Sequence, residues 1–403
     1  MKYRRSTLPL AGSMLTSGLS LGTVGAVTAA LVWSHLSAGG SPAVAGVIAA
    51  ALGAPIAIGV LAGGALVDRL GARGVLLVTN GLCALALLAA CALLWLAPDR
   101  IVLVVAACAL ANLAGAPGGV AQDARVPELA RLARVPAARA NALRDVAAQV
   151  GQVGGPALGV LLVEASGLPL ALAAAAAAAS AAVIIDALLF PRFRIARAER
   201  GTSAPGGAVG ALLADPTLRM VAVAGVLLVG VFSTLDELLA PALALATGRG
   251  GDALAGFLVL AGSSALVSAG TLAVLGPPRA PQRLLIAGLA ACAAGLLALG
   301  LAPATLGFSL APVLLGLGIG PIWPIVLTAV QRRVPTAARG TAIGLLAGAS
   351  LAAQPAAALA SGVAVASAGP QGVALVLAGA VGLLALAAGL SPALRDLGAT
   401  RPR

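Results

Sequence analysis

Three carboxylates stand out because they interrupt strongly apolar stretches. Asp236 and Glu237 are adjacent near the end of one such stretch, and Asp186 lies near the end of another. Like charges this close, partly desolvated, favour the protonated form of at least one group. An ionisable side chain inside a membrane segment is functional by default, so all three are candidate proton-coupling sites. The alternative for Asp236 and Glu237 is a position at the wet outer interface of the membrane. The alternative for Asp186 is an ion pair with Arg192 or Arg194.

A second set of side chains has types suited to substrate contact. Hydroxyl side chains at Ser13, Thr16, Ser20 and Thr23 recur every three or four residues, on one face of a helix. That face either lines an aqueous cavity or hydrogen-bonds a neighbouring helix. Trp323 is expected as the one large aromatic side chain well inside the helix bundle, where it either stacks on an apolar or cationic substrate or wedges between helices. The substrate-cavity candidates are Thr16, Ser20, Asn112, Gln149, Gln152 and Trp323.

Composition indicates which elements must position these groups. The chain is 60% hydrophobic and 9% charged, whereas soluble globular proteins carry about 25% charged residues. It is therefore a polytopic membrane protein, and each helical span needs about 20 apolar residues. Twelve stretches qualify, at about residues 11–35, 42–67, 74–97, 101–122, 143–166, 169–190, 218–243, 253–275, 283–302, 305–330, 338–366 and 371–391.

The net charge of +12 is explained by the orientation of the chain in the membrane. With the amino terminus inside, all of the 25 basic residues except Arg100 and Arg249 fall in cytoplasmic segments. This partition follows the positive-inside rule. We therefore expect a multi-pass protein of the cell membrane, with both termini cytoplasmic and no nucleic-acid partner.

Catalytic and metal-binding patterns are not found in the sequence. The four cysteines, Cys83, Cys91, Cys108 and Cys292, have no metal-site or paired spacing and are expected as buried apolar groups. The single histidine, His35, is expected in an external loop. Without a nucleophile constellation or a phosphate-binding loop, we predict neither an enzyme nor a cofactor.

An internal repeat divides the chain. The segment V-P-A-A-R at 135–139 recurs as V-P-T-A-A-R at 334–339, about half the chain later. Parallel repeats of this kind relate the halves of some transporters. We predict an all-α membrane fold with an amino-terminal six-helix bundle at 1–190, a cytoplasmic linker at 191–217 and a carboxyl-terminal six-helix bundle at 218–403.

Three local patterns add detail to this architecture. Apolar and arginine residues alternate at helical spacing in 123–144, which predicts a short amphipathic helix on the cytoplasmic face. Pro321 and Pro324 are expected to break the tenth span. Glycines at Gly340, Gly344 and Gly348 are expected to clear a packing face.

The signature loop, Gly64 to Arg73, reads G-A-L-V-D-R-L-G-A-R between the second and third spans. Gly64 is expected to admit a neighbouring helix, and Gly71 to take the positive φ of a tight reversal. Asp68 is expected to cap a helix or pair with an arginine, while Arg69 and Arg73 hold the loop at the anionic surface. The loop resembles the Gly-x-x-x-Asp-Arg-x-Gly-Arg-Arg motif of the major facilitator superfamily. It departs only at Ala72, where a basic residue is usual.

A glycine stripe in the fifth span carries a second resemblance. Gly151, Gly155 and Gly159 recur every four residues with Pro156 between them, which clears one helix face for close packing. The sequence is similar to the antiporter motif of drug exporters in this superfamily, except at Val160. A generic small-residue interface is the alternative.

The resemblance implies a secondary active transporter that works by alternating access. It most resembles proton-coupled exporters of small lipophilic or cationic compounds, monomers powered by the proton gradient. The fourth span lacks the arginine of many proton-coupled antiporters, so an importer or uniporter of a metabolite is an alternative. A membrane sensor or assembly protein that has lost transport is another.

Overall fold

The computed structural model describes residues 2–97, 99–189, 214–275, 280–334 and 336–395. Within these ranges the chain is helical and forms no strand. It divides into an amino-terminal unit, Met1–Gly40 with Val47–Ala198, and a carboxyl-terminal unit, Ser41–Gly46 with Glu199–Arg403. The predicted linker at 191–217 lies almost wholly outside the described residues.

The helices of the amino-terminal unit follow one another through short turns. They are α1 (Lys2–Ser37), α2 (Pro42–Leu96), α3 (Ile101–Ala133), α4 (Ala137–Ser166) and α5 (Leu168–Leu189). Helix α1 packs against α3, α4 and α5, so it is the central element of this unit.

The carboxyl-terminal unit contains more interrupted helices. It comprises α6 (Pro216–Thr234), a first π-helical segment (Leu235–Leu239), α7 (Ala240–Ala246), α8 (Gly251–Leu275), α9 (Pro281–Leu301), a second π-helical segment (Pro303–Gly307), α10 (Ala311–Ile319), α11 (Ile322–Arg333), α12 (Thr336–Leu390) and α13 (Pro392–Arg395). Helix α12 packs against α6 and α9. The break between α10 and α11, at Gly320 and Pro321, confirms the predicted interruption of the tenth span.

Ten helical segments among the described residues are long and apolar enough to cross a membrane. Two of them are far longer than one crossing needs: α2 has 55 residues, and α12 contributes 49. Each is interrupted by a glycine with non-helical dihedrals, Gly71 in α2 and Gly369 in α12. Each is therefore long enough for two crossings, which is consistent with the twelve spans predicted.

The predicted glycine stripe packs against glycines of α1. A Cβ placed on Gly155 would lie 2.6 Å from the Cα of Gly22, and the Cβ positions of Gly151 and Gly159 would meet the backbone at Gly18 and Ala26. Pro156 lies against Gly25 on the same face. The packing role of the stripe is confirmed, and α1 and α4 contact each other through their backbones.

Matching glycines turn the chain in the two units. Gly167 (φ 82, ψ 172) precedes α5, and Gly369 (φ 73, ψ 161) divides α12. The two positions are about half the chain apart, as are the repeated V-P segments. The same reversal is therefore built into both halves, which supports the internal repeat.

Four expectations need correction. Residues 123–133 belong to the continuous helix α3, where Val126 and Leu129 pack against Leu10 of α1, so they form no separate surface helix. Added Cβ atoms at Gly344 and Gly348 would meet open space, so these glycines clear no packing face among the described residues. His35 lies in the last turn of α1, not in a loop. Trp323, expected as the one large aromatic inside the bundle, is only half-buried, whereas Trp33 is 1% exposed.

Candidate functional site

The adjacent carboxylates Asp236 and Glu237 lie on the first π-helical segment. Leu235, Leu238 and Leu239 of the same segment are fully buried inside the unit. Asp236 is exposed and Glu237 is half-buried, beside the hydroxyl of Ser233. The pair thus occupies the face of the segment opposite the buried leucines.

Pro241 accounts for the change of helix pitch at this point. Proline has no N–H, so the carbonyl of Glu237 cannot receive the usual helical hydrogen bond. The N–H of Ala240 instead donates to the carbonyl of Leu235, five residues earlier. Single π turns of this kind are frequent at functional sites.

Asp186 has a different environment, in the interior of the amino-terminal unit. Its side chain is fully buried, and its Oδ2 accepts a 2.7 Å hydrogen bond from Nδ2 of Asn80 on α2. The hydroxyl of Thr16 on α1 lies beside the same carboxyl group. The guanidinium groups of Arg125 on α3 and Arg73 on α2 are its charged neighbours. The alternative partners Arg192 and Arg194 lie outside the described residues.

Further polar groups extend this cluster along α1 and α3. The hydroxyl of Ser17 donates to Oε1 of Gln122 at 2.7 Å, and both side chains are buried. Arg125, one turn after Gln122, is only 4% exposed. We call Thr16, Ser17, Asn80, Gln122, Arg125 and Asp186 the interior polar cluster. It joins four helices of one unit.

The signature loop has the predicted turn but not every predicted contact. Gly71 has φ 73, which confirms the positive φ expected there. Nη2 of Arg73 donates to the carbonyl of Ala187 in the last turn of α5 at 3.0 Å, a favourable place for a cation. Asp68 and Arg69 are exposed. A Cβ on Gly64 would meet open space, so its expected close helix contact is absent among the described residues.

The substrate-cavity candidates are not brought together in one place. Thr16 is fully buried inside the amino-terminal unit, and Ser20 is half-buried on the same helix, so this stripe packs in the interior. Asn112 is buried, and its amide donates to the carbonyl of Leu52 at 3.0 Å, which favours helix pairing over substrate contact. Gln149 and Gln152 are exposed on α4.

Trp323 lies in the first turn of α11, where its ring approaches Gly225 of α6. The carboxylates on the π-helical segment follow Gly225 by 11 and 12 residues, which corresponds to roughly 16 Å along a helix. Trp323 and the carboxylate pair are therefore at different levels of the carboxyl-terminal unit.

Several residues of the site are absent from the sequence-based predictions. Asn80 and Arg125 contribute to the interior polar cluster. Asn80 is a strongly polar residue in the middle of the third apolar stretch, which is a signal that the sequence contains. The predicted fourth span ends at residue 122, whereas helix α3 continues to Ala133, so the sequence leaves Arg125 outside the helix that positions it.

Comparison with known proteins decides the family. Residues 11–357 match the family profile described as Major Facilitator Superfamily. The chain belongs to the major facilitator superfamily. It is thus a multi-pass membrane transporter of small molecules, and the fold and family are not those of an enzyme. A comparison with curated proteins finds no match.

Solved structures of major facilitator transporters share the fold at low sequence identity. The nucleoside transporter NupG aligns with a TM-score of 0.75 at 14% identity, covering 98% of this chain and 100% of that one. The peptide transporter POT in complex with sulfate gives 0.74 at 15%, covering 96% and 95%. A D-xylose-proton symporter gives 0.72 at 18%, covering 98% and 99%.

Proposed function

We propose that this transporter is a proton-coupled antiporter that exports a small lipophilic or cationic compound by alternating access. In this proposal it works as a monomer in the cell membrane with both termini cytoplasmic, and the proton gradient is its energy source. Asp236 and Glu237 bind the coupling proton. Asp68, Arg69 and Arg73 of the signature loop control the opening of the inner side.

The observation that carries the proposal is the carboxylate pair on a π-helical segment, with Asp236 exposed and Glu237 half-buried. A carboxylate at the centre of a membrane helix costs about 2.5–3.5 kcal/mol when it must face lipid. A cost of this size favours a position on a water-filled path. Among the described residues no basic side chain neutralises either carboxylate. The pair is then available to exchange a proton for a cation, since the two compete for the same negative charge.

Transport by proteoliposomes with an imposed pH gradient tests the proposal. A fluorescent lipophilic cation and the internal pH are followed together in the wild type, Asp236→Asn, Glu237→Gln and the double variant. We expect cations and protons to move in opposite directions, and the double variant to lose proton-driven transport by at least about tenfold. Asp99→Asn is the matched control, because Asp99 is an exposed carboxylate in a turn. Unchanged coupling in the double variant would exclude the pair as the proton site.

A second candidate function is uptake of a polar metabolite together with protons. The similar structures are described as nucleoside and peptide transporters and a D-xylose-proton symporter, which favours this direction. The same proteoliposomes distinguish proton-driven export from uptake with protons. Cations and protons moving in the same direction, or no cation movement with uptake of a nucleoside, peptide or sugar, would replace the exporter with the importer.

A further inference from the structure

The hydrogen bonds around Asp186 are informative about its protonation. Its Oδ2 accepts from Asn80, whereas Oδ1 makes no hydrogen bond with the described residues and is buried. The neighbouring hydroxyl of Thr16 donates its own hydrogen to the carbonyl of Ser13 at 3.3 Å. A hydroxyl has one hydrogen, so Thr16 can accept a hydrogen bond from the carboxyl group but cannot also donate one to it.

This arrangement suits a carboxyl group that carries a proton. A protonated Oδ1 can donate to Thr16, which completes a chain from Asp186 through Thr16 to the carbonyl of Ser13. An ionised carboxylate would keep a single hydrogen bond in a site closed to water, and such burial is costly. Burial with one oxygen unpaired therefore favours the neutral form of Asp186, while the hydrogen bond from Asn80 favours the ionised form.

Two arginines act in the opposite direction. Arg125 from α3 and Arg73 from α2 are the charged groups that act on Asp186, and both favour its ionised form. Helix α4 also packs against α5, but among the described residues it adds no charged group near Asp186. The balance between proton and carboxylate is therefore set by the positions of these two guanidinium groups.

One of the two arginines belongs to the signature loop. Arg73 follows the turn at Gly71 by two residues, and it binds the carbonyl of Ala187, the residue next to Asp186. Any displacement of the loop that withdraws Arg73 also removes a positive charge from beside the buried carboxyl group. Coupling of this kind is reciprocal, so loss of the proton must in turn favour the bound position of Arg73.

We propose that Asp186 is a proton-binding site inside the amino-terminal unit and that its proton is linked to the position of Arg73 on the signature loop. The loop is docked when Asp186 is ionised and is released more easily when Asp186 is protonated. This site is separate from Asp236 and Glu237. It depends neither on the direction of transport nor on the identity of the substrate.

Infrared spectroscopy of the purified protein in lipid tests this link without any transport assay. Protonated carboxyl groups absorb apart from ionised ones, and the chain has only 13 acidic side chains. The spectra are recorded across a pH titration for the wild type, Asp186→Asn, Arg73→Gln and Arg73→Lys. Arg100→Gln is the matched control, because Arg100 is an exposed arginine outside the signature loop.

We expect Asp186→Asn to remove one component of the protonated-carboxyl band. Arg73→Gln should move the titration midpoint of that component upward, since a neighbouring cation is lost. Arg73→Lys and Arg100→Gln should leave it near the wild-type position. A band unchanged by Asp186→Asn at every pH, or a midpoint unmoved by Arg73→Gln, would overturn the proposal. If Asp186→Asn does not fold, the comparison of Arg73→Gln with Arg100→Gln still decides it.

Discussion

Replacing Gly155 by alanine should separate two helices that now touch through their backbones. The new Cβ would lie 2.6 Å from the Cα of Gly22, whereas ordinary contact begins at 3.4 Å. The carbonyl oxygen of Gly22 would lie closer still, so the backbones would have to move apart by at least about 0.8 Å, the difference between these distances. No rotamer change can relieve a clash with backbone atoms. The flanking glycines Gly151 and Gly159 hold the same contact one turn away on each side.

The expected loss of stability follows from this displacement. Overpacking a close contact costs about 1–3 kcal/mol, and a gap of about 0.5–1 Å forfeits a quarter to a half of the dispersion energy at each neighbouring contact. For a unit of about 200 residues, 2 kcal/mol corresponds to a fall in Tm of roughly 6 °C. Gly154→Ala is the matched control, because a Cβ on Gly154 meets nothing within 4 Å.

Thermal unfolding in detergent measures the difference. A thiol-reactive fluorescent dye reports unfolding as the buried cysteines Cys83, Cys108 and Cys292 become accessible. We expect Gly155→Ala to melt several degrees below the wild type and Gly154→Ala to melt near it. Equal melting temperatures for the two variants would refute the close contact between α1 and α4. A transport defect with an unchanged Tm would instead favour an antiporter role for the glycines beyond packing.

Two further substitutions test the turn of the signature loop and an ion pair. Gly71→Ala should lower the free energy of unfolding by about 1–3 kcal/mol and slow transport, because φ 73 with ψ 153 is a backbone region almost restricted to glycine. Gly64→Ala is the control and should do neither, because Gly64 is helical and a Cβ there meets open space. Burial raises the pKa of Asp215, but Arg333, 3.1 Å away, and two backbone N–H groups outweigh it and hold that pKa below its ordinary value. The ion pair therefore stabilises the fold above the unfolded-state pKa of Asp215, and this stabilisation is lost as the pH falls through the folded-state pKa. Between about pH 6 and about pH 3, the Tm of Asp215→Asn should fall less than the Tm of the wild type. Equal acid sensitivity would show that the ion pair contributes nothing.

Features set by one residue's own backbone could be predicted from the sequence. The positive φ of Gly71 and the break at Pro321 follow from local geometry. The face cleared by the glycine stripe follows from helical periodicity alone. The partner of that face could not be derived, because Gly22 is far from Gly155 in the sequence. The π turn at Leu235–Leu239 was not predicted either. The sequence does contain a signal for it, because Pro241 has no N–H to donate to the carbonyl of Glu237.

The chemistry of the acidic residues could not be predicted in this way, since residue type and depth in the span look alike for all of them. Asp186 meets its hydrogen-bond donor Asn80 across 106 residues of sequence, and its charged neighbour Arg125 comes from a helix that was predicted too short. Asp236 has no such partner among the described residues and lies exposed on a π-helical segment. Asp186 is thus enclosed by polar groups of four helices, whereas Asp236 is exposed. The two proposals above, loop control by Asp186 and proton coupling by Asp236, follow this contrast, and they predict that Asp186→Asn changes the titration of the carboxyl band while Asp236→Asn changes proton-driven transport.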